Sequence, residues 1–137
     1  MINGHKPKDR LGMNQHITSG QYIQSKTYSY ITRLEHDGEL VVYMNDHFHP
    51  KNALWRSKKT GGQKPYRLVM QEDGNLVIYD IQNKDIWESG TDGKGSKGHG
   101  LVMQDDGNLV IYDGANIPIW DTNTYRKEGV KRNKGVV

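Results

Sequence analysis

The sequence predicts an all-β domain built from three similar units. Short runs of β-branched and aromatic residues alternate with Asp-Gly dipeptides, which are typical of hairpin turns, and no window keeps a helical period. Residues 66–80 and 99–113 are nearly identical at an offset of 33, and residues 31–43 form a weaker copy at an offset of 36. Because one such unit cannot bury its own apolar face, we expect three to pack around a pseudo-threefold axis.

The repeats also indicate the domain organisation. We predict one domain over residues 1–125, with units at about 25–57, 62–92 and 97–122, followed by a basic tail at 126–137. The tail holds five cations and one acid, so the rest of the chain is nearly neutral. A nearly neutral body argues against a nucleic-acid-binding protein, whose cations should line a folded face.

Composition excludes several further classes. A chain of 137 residues with 34% hydrophobic residues and a mean hydropathy of -0.87 supplies one modest core. The absence of cysteine excludes disulfides, thiolate metal sites and a cysteine nucleophile. The first residues have no apolar run after their positive charges, and no later stretch has the length of a membrane span. We therefore expect a cytoplasmic or leaderless-secreted protein, peripheral at most to membranes or the cytoskeleton, with no metal and no cofactor.

Each hairpin is expected to present two different faces. In the second unit, the three-residue loop 72–74 with a left-handed Gly74 pairs Gln71 with Asn75. That register places one aliphatic set toward a core: Leu68, Met70, Leu76 and Ile78. The other set, mostly polar, should face outward.

Each unit then reaches a tryptophan that follows an aliphatic residue. Large aromatic side chains dominate core energetics. We therefore predict that Trp55, Trp87 and Trp120 pack around the common axis and do not stack on a ligand.

The outward face carries the same five residue types in two units. They are Gln71, Asp73, Asn75, Val77 and Tyr79 in the second unit, and Gln104, Asp106, Asn108, Val110 and Tyr112 in the third. A merely solvated face would accept Lys, Thr or Ser equally well. Two amides, a carboxylate and a phenol can donate to and accept from several hydroxyls, and valine offers an apolar patch, so the set favours a polyhydroxylated ligand.

The order Q-x-D-x-N-x-V-x-Y, complete at 71–79 and 104–112, resembles the mannose-binding motif of the bulb-type (monocot, snowdrop-like) lectins. Residues 17–23 also resemble the opening strand and turn of that family. The resemblance covers about 100 to 115 residues. It implies the β-prism II fold, with three four-stranded antiparallel sheets, and binding of α-D-mannose without catalysis.

Carried over to this chain, the resemblance assigns a role to each site residue. Asp73 and Asn75 should bind the axial O2 of mannose, Gln71 its O3 and Tyr79 its O4, with Val77 against the ring carbons. The five residues of the third unit should repeat those roles. A sugar with an equatorial O2 would leave buried polar groups unpaired, so mannose should be preferred over glucose.

The first unit departs from the motif, and we expect it to be a degenerate site. It reads Glu35, Asp37, Glu39, Val41 and Tyr43. Two amides have become carboxylates that face each other, which is unfavourable unless a cation neutralises them. Arg33 on the same face is the favoured cation; an altered sugar site and, least favoured, a Ca²⁺ site are the alternatives.

The first unit also carries four extra residues between its tyrosine and its tryptophan, within 44–52. His47 and His49 in this polar loop are expected to be solvated and not to bind a metal. Two patterns that occur in enzymes are rejected. Residues 93–98 match the dinucleotide-binding pattern G-x-G-x-x-G but do not lie between a strand and a helix. Asp105 and Asp106 are adjacent in the chain, so they cannot flank a glycosidic bond as the two carboxylates of a glycosidase do. We expect no enzymatic activity.

Three expectations concern partners. Shallow sugar sites gain affinity when several engage a mannose-containing glycan together. The resemblance implies a homodimer in which residues 114–125, through Trp120, are exchanged between subunits. It also leaves two further functions open: an adaptor that links mannosylated membranes to actin filaments through a basic surface, and a lectin-like defence protein.

Overall fold

The computed structural model describes residues 8–45 and 47–126, and these residues form three four-stranded antiparallel sheets. The sheets have the strand orders β1-β10-β11-β12, β2-β7-β8-β9 and β3-β4-β5-β6. The strands are β1 (Arg10–Leu11), β2 (His16–Thr18), β3 (Tyr22–Gln24), β4 (Tyr30–Leu34), β5 (Leu40–Met44), β6 (Ala53–Arg56), β7 (Arg67–Met70), β8 (Leu76–Tyr79), β9 (Asp85–Glu88), β10 (Gly100–Met103), β11 (Leu109–Tyr112) and β12 (Pro118–Asp121). A short 3-10 helix, Pro50–Asn52, precedes β6. The all-β prediction is confirmed.

The N-terminal segment contributes one edge strand to each sheet. The short strands β1, β2 and β3 pair with β10, β7 and β4, the opening strands of the third, second and first units. The other three strands of each sheet come from a single unit. Residues 10–24 therefore connect all three sheets, whereas the sequence indicated only an opening strand and turn at residues 17–23.

The hairpin register is as predicted. Met70 pairs with Leu76, and Leu68 pairs with Ile78. All four side chains are fully buried, together with their counterparts in the third unit. The core thus lies between the inner faces of the three sheets, and burial of these aliphatic faces stabilises the fold.

The three tryptophans form a closed cluster beside this core. The ring centroids of Trp55 lie 5.8 Å from those of Trp87 and Trp120, and the last two are 5.9 Å apart, each pair with tilted rings. Such edge-to-face pairs are favourable beyond their buried area. The structural role predicted for these residues is confirmed.

Strand β12 completes the third sheet within the same chain. Ile111 of β11 pairs with Trp120 of β12, and β12 ends at Asp121. The single chain therefore closes all three sheets without a strand from a second copy. Exchange of residues 114–125 in a homodimer stays a prediction.

Of the predicted basic tail, only Arg126 belongs to the described residues. Its backbone N–H donates to the carbonyl oxygen of Asp106 at 2.6 Å, which fastens it to the third hairpin. Residues 127–137 lie outside the described residues. Within the described ranges, no helix is both long enough and apolar enough to span a membrane.

Candidate functional site

Each hairpin is closed by an aspartate that acts within its own turn. In the second unit, Asp73 Oδ1 accepts from the backbone N–H of Asn75 at 2.9 Å. Asp37 and Asp106 make the same bond to Glu39 and Asn108, at 3.0 and 2.9 Å. One carboxylate oxygen is thus held by the turn. Asp73 is exposed, and none of the described residues donates a hydrogen bond to its other carboxylate oxygen, Oδ2.

The second hairpin brings its five predicted residues onto one face. The Gln71 amide nitrogen donates to the Tyr79 hydroxyl, so the two side chains hold each other across the hairpin. Asn75 and Val77 lie at the floor and are buried, at 7% and 3% exposure. Both lie on the predicted face of the hairpin, opposite the core residues Leu76 and Ile78, but they are buried there and not exposed. We refer to this patch, in which more exposed side chains flank two buried ones, as the second depression.

The amide of Asn75 is largely used inside the protein. Its Oδ1 accepts from the backbone N–H groups of Gly90 and Thr91, at 2.9 and 3.1 Å, and its Nδ2 donates to Glu88 Oε1 at 2.7 Å. A primary amide has two N–H donors. One donor of Asn75 therefore remains for a ligand, while its oxygen fixes the chain after β9.

The third hairpin places the same residue types in the same positions, but the amide of its glutamine is turned. The Tyr112 hydroxyl donates to Gln104 Oε1, whereas Tyr79 accepts from Gln71. Gln104 Nε2 lies within hydrogen-bond distance of both Asp106 oxygens, 3.1 Å from Oδ1 and 3.3 Å from Oδ2. Asn108 Nδ2 donates to Asp121 Oδ2 at 3.0 Å, as Asn75 does to Glu88. Val110 is buried at 3% exposure, like Val77. All ten predicted residues of the two intact motifs therefore lie in two matching depressions.

The first hairpin differs because both of its glutamates are paired with arginines. Glu35 lies 3.4 Å from Arg33, and Glu39 lies 3.0 Å from Arg56. Arg33 therefore neutralises only one carboxylate, which corrects the expectation that it serves both. Arg56 follows Trp55 as Glu88 follows Trp87. Alignment of the units on their tryptophans would have identified it.

The Tyr43 hydroxyl of the first hairpin is also hydrogen-bonded within the protein. It donates to Glu35 Oε2 at 2.5 Å. Burial above all, and then this hydrogen bond to the carboxylate, raises the pKa of Tyr43 well above its usual range. The group stays protonated and bound to Glu35 throughout the neutral range.

The four-residue insertion covers the first hairpin. Its Phe48 ring lies 5.4 Å from the Tyr43 ring and 5.6 Å from the Tyr22 ring, and the Arg33 guanidinium carbon lies 4.3 Å from its centroid. Phe48 therefore packs on the outer face of the first hairpin, and the other two units lack the insertion that supplies it. This contact could not be predicted from the sequence, because the position of a loop depends on tertiary packing.

The two histidines of the insertion are exposed, as expected. His49 caps the 3-10 helix through Nδ1, which accepts from the backbone N–H of Lys51 at 3.2 Å. Among the described residues, no group of three or more His, Asp or Glu side chains is placed to hold a metal ion. The carboxylates of the Ca²⁺ alternative are instead bound as described above.

Two further aspartates, which the sequence analysis did not consider, shape the loops beside the depressions. Asp80 is buried and accepts from the backbone N–H groups of Gln63, Gln82 and Lys84, each at 2.9 Å. Asp113 does the same in the third unit. The backbone hydrogen bond from Gln63 is the largest of several that lower the pKa of Asp80, because they stabilise its charged form.

Comparisons with known proteins agree with this architecture. No protein-family model matches the chain. A monomeric monocot mannose-binding lectin of Gastrodia elata superposes with a TM-score of 0.74 and 33% identity, over 86% of this chain and 99% of the other. The mannose-specific lectin of Aloe arborescens is 39% identical over 75 residues, and comitin of Dictyostelium discoideum is 44% identical over 89. These two matches cover 55% and 63% of this chain, but only 62% and 48% of the relatives' lengths.

The three-sheet prism with one polar hairpin on each sheet defines a β-prism II domain. The chain belongs to the family of monocot, or bulb-type, mannose-binding lectins.

Proposed function

We propose that the chain binds α-D-mannose at the second and third hairpins and performs no reaction on it. The observation that carries this proposal is the matching pair of depressions, each with the same five side chains. In both, a glutamine and a tyrosine are held against each other beside a buried valine. The mannose-binding and mannose-specific relatives support the choice of sugar.

The donors and acceptors left over by internal bonding fit a sugar hydroxyl. Asp73 offers its second oxygen, and Asn75 offers one amide proton. An axial O2 that donates to the aspartate and accepts from the asparagine would pair both groups at once. A hydroxyl in the equatorial position would leave them unpaired, which is the physical basis for preferring mannose over glucose.

The first hairpin is proposed not to bind mannose. Glu35 and Glu39 are bound by arginines, Tyr43 donates to Glu35, and Phe48 covers the face. A sugar would have to displace these contacts. Two sites per chain therefore follow, and engagement of both by one glycan would raise the affinity.

Aspartate-to-asparagine variants test this function without removing the turn. Because the amide oxygen of asparagine can still accept from the turn N–H, Asp73→Asn changes mainly the oxygen offered to the sugar. We expect Asp73→Asn and Asp106→Asn each to weaken methyl α-mannoside binding at its own hairpin by about tenfold or more. NMR titration of the hairpin amides measures each site separately.

Asp37→Asn in the first hairpin is the matched control. It makes the same change in the same turn, and we expect it to leave both mannoside affinities unchanged. Loss of binding in this variant, or unchanged binding in the other two, would contradict the assignment.

A second candidate function is that of an adaptor that attaches to actin filaments or to an anionic membrane surface. The similarity to comitin and the cations of residues 126–137 favour it. A chain that ends at Arg126 keeps the bond to the third hairpin. We expect the full chain to cosediment with actin in a salt-sensitive manner, and the shortened chain to lose cosedimentation but keep mannoside binding. Failure of the full chain to cosediment at low salt would exclude the actin role.

A further inference from the structure

The two intact depressions differ in one cross-strand pair at their rim. In the second unit, Arg67 of β7 stands directly opposite Tyr79 of β8. In the third unit, Gly100 stands opposite Tyr112. From residue 68 to 80 the second unit otherwise differs from residues 101–113 only by Glu72 for Asp105. The same chain therefore contains two nearly identical hairpins, one with a guanidinium at this position and one with no side chain.

The guanidinium of Arg67 lies over the tyrosine of the site. Its central carbon is 4.7 Å from the centroid of the Tyr79 ring. The side chain is half-buried. Within the described residues its guanidinium stacks on Tyr79 and forms no ion pair and no side-chain hydrogen bond. Its N–H donors are therefore available at the rim of the depression.

Two acidic side chains of β9 lie on the same face. Glu88 of β9 is bound to Asn75. Asp85 stands opposite Tyr79 on the side away from Arg67, and it is exposed. The third face has a guanidinium of its own in Arg10, but Arg10 lies opposite Val102 and is bound to Asp9 at 2.9 Å. An available guanidinium beside the site tyrosine is thus specific to the second depression.

We infer that the second hairpin prefers mannose that carries an anionic ester on O6, and that Arg67 provides this preference; the inference rests on the proposed function. In a mannose whose O4 contacts Tyr79, C6 is attached to the ring carbon next to C4, so O6 lies on the same edge of the sugar. A phosphate or sulfate group there would meet the guanidinium stacked on that tyrosine. Guanidinium groups bind such anions with paired, charge-assisted hydrogen bonds.

The test compares methyl α-mannoside with its 6-phosphate and 6-sulfate, and with inorganic phosphate alone. Amide signals of Gly74 and Gly107 report the two hairpins separately in NMR titrations. We expect methyl α-mannoside to bind both hairpins similarly, and the 6-phosphate to bind the second hairpin about fivefold more tightly than the third at low salt. The sulfate arm shows whether the preference follows the anionic charge or needs a phosphate.

Reciprocal variants assign the effect to Arg67. Arg67→Gln should lower the ratio of 6-phosphate to methyl α-mannoside affinity at the second hairpin to the ratio found at the third. Gly100→Arg should create the preference in the third hairpin. The backbone tolerates this second change, because a Cβ at Gly100 would have only an ordinary contact, 3.6 Å from the carbonyl oxygen of Leu11. Asp85→Asn should tighten binding of the ester alone.

The outcomes separate this inference from the proposed function. Absence of methyl α-mannoside binding at both hairpins would overturn the proposed function, and the inference with it. Equal affinity of the 6-phosphate at the two hairpins, with methyl α-mannoside bound at both, would overturn the inference alone. Equal shifts with inorganic phosphate and with the ester would also overturn it, because Arg67 would then be an anion site independent of the sugar.

Discussion

At the scale of single residues, a bond within the turn explains why the first hairpin keeps the motif aspartate while both amides are replaced. Asp37, Asp73 and Asp106 all accept a turn N–H through Oδ1. This bond is needed for the hairpin whether or not a sugar is bound. Retention of Asp37 is therefore accounted for by folding, and the presence of this aspartate alone does not identify a binding site.

The position after each tryptophan explains how Glu39 is tolerated. Asn75 and Asn108 donate to the acids Glu88 and Asp121, whereas Glu39 accepts from Arg56. In the first unit the donor and the acceptor of this pair are therefore exchanged, with the acid on the hairpin and the cation after the tryptophan. An acid at position 56 would place two carboxylates side by side in a site where Glu39 is only 12% exposed.

This reversal predicts the behaviour of charge variants. Arg56→Glu should lower the free energy of unfolding by about 1–2 kcal/mol, because it sets two partly buried carboxylates against each other. The double variant Glu39→Asn with Arg56→Glu recreates the pair of the second unit and should recover most of the loss. Urea unfolding measures both. A double variant no more stable than Arg56→Glu would contradict the pairing.

At the scale of the hairpin, each turn glycine packs on an aromatic ring from another unit. Ideal Cβ atoms at Gly38, Gly74 and Gly107 would lie 2.9, 2.8 and 3.0 Å from atoms of Tyr66, His99 and Tyr30, respectively. These three rings are nearly fully buried. The units are therefore linked in a closed cycle, with the second hairpin on the third unit, the third on the first and the first on the second.

This contact predicts an unequal cost of alanine at two glycines with positive φ. Gly74 has φ +93° and the close contact with His99, whereas Gly93 has φ +76° and nothing within 4 Å. Gly93→Ala should cost about 1 kcal/mol from backbone strain alone. Gly74→Ala should cost about 2 kcal/mol more, because the ring must also move. Equal melting temperatures of the two variants would show that contact with the His99 ring does not add to the cost of alanine at Gly74.

At the scale of the whole molecule, the repeat made most of the fold predictable. The hairpin register and the tryptophan cluster follow from local pattern and from the need to bury three similar faces. The pairing of β1, β2 and β3 does not, because strands of two or three residues carry almost no pattern and their partners lie far along the chain. Only the closed structure decides which sheet each one joins.

The positions of the candidate site residues were predictable to a similar degree, and for the same reason. The ten residues of the intact motifs were selected from their recurrence, and Arg56 could have been found by aligning the units on their tryptophans. The burial of Asn75 and the placement of Phe48 over the first hairpin depend on neighbouring strands and on a loop. Such contacts have no signature in one sequence.

The valency of the chain tests the account most directly. Gly38, Gly74 and Gly107 stand at equivalent positions of the three hairpins, so their amide signals report the three faces in one titration with methyl α-mannoside. Saturable shifts at Gly74 and Gly107, none at Gly38 and none with methyl α-glucoside at the same concentrations are the predicted result. Saturation at Gly38 to the same extent, or no saturable shift at the other two, would contradict it.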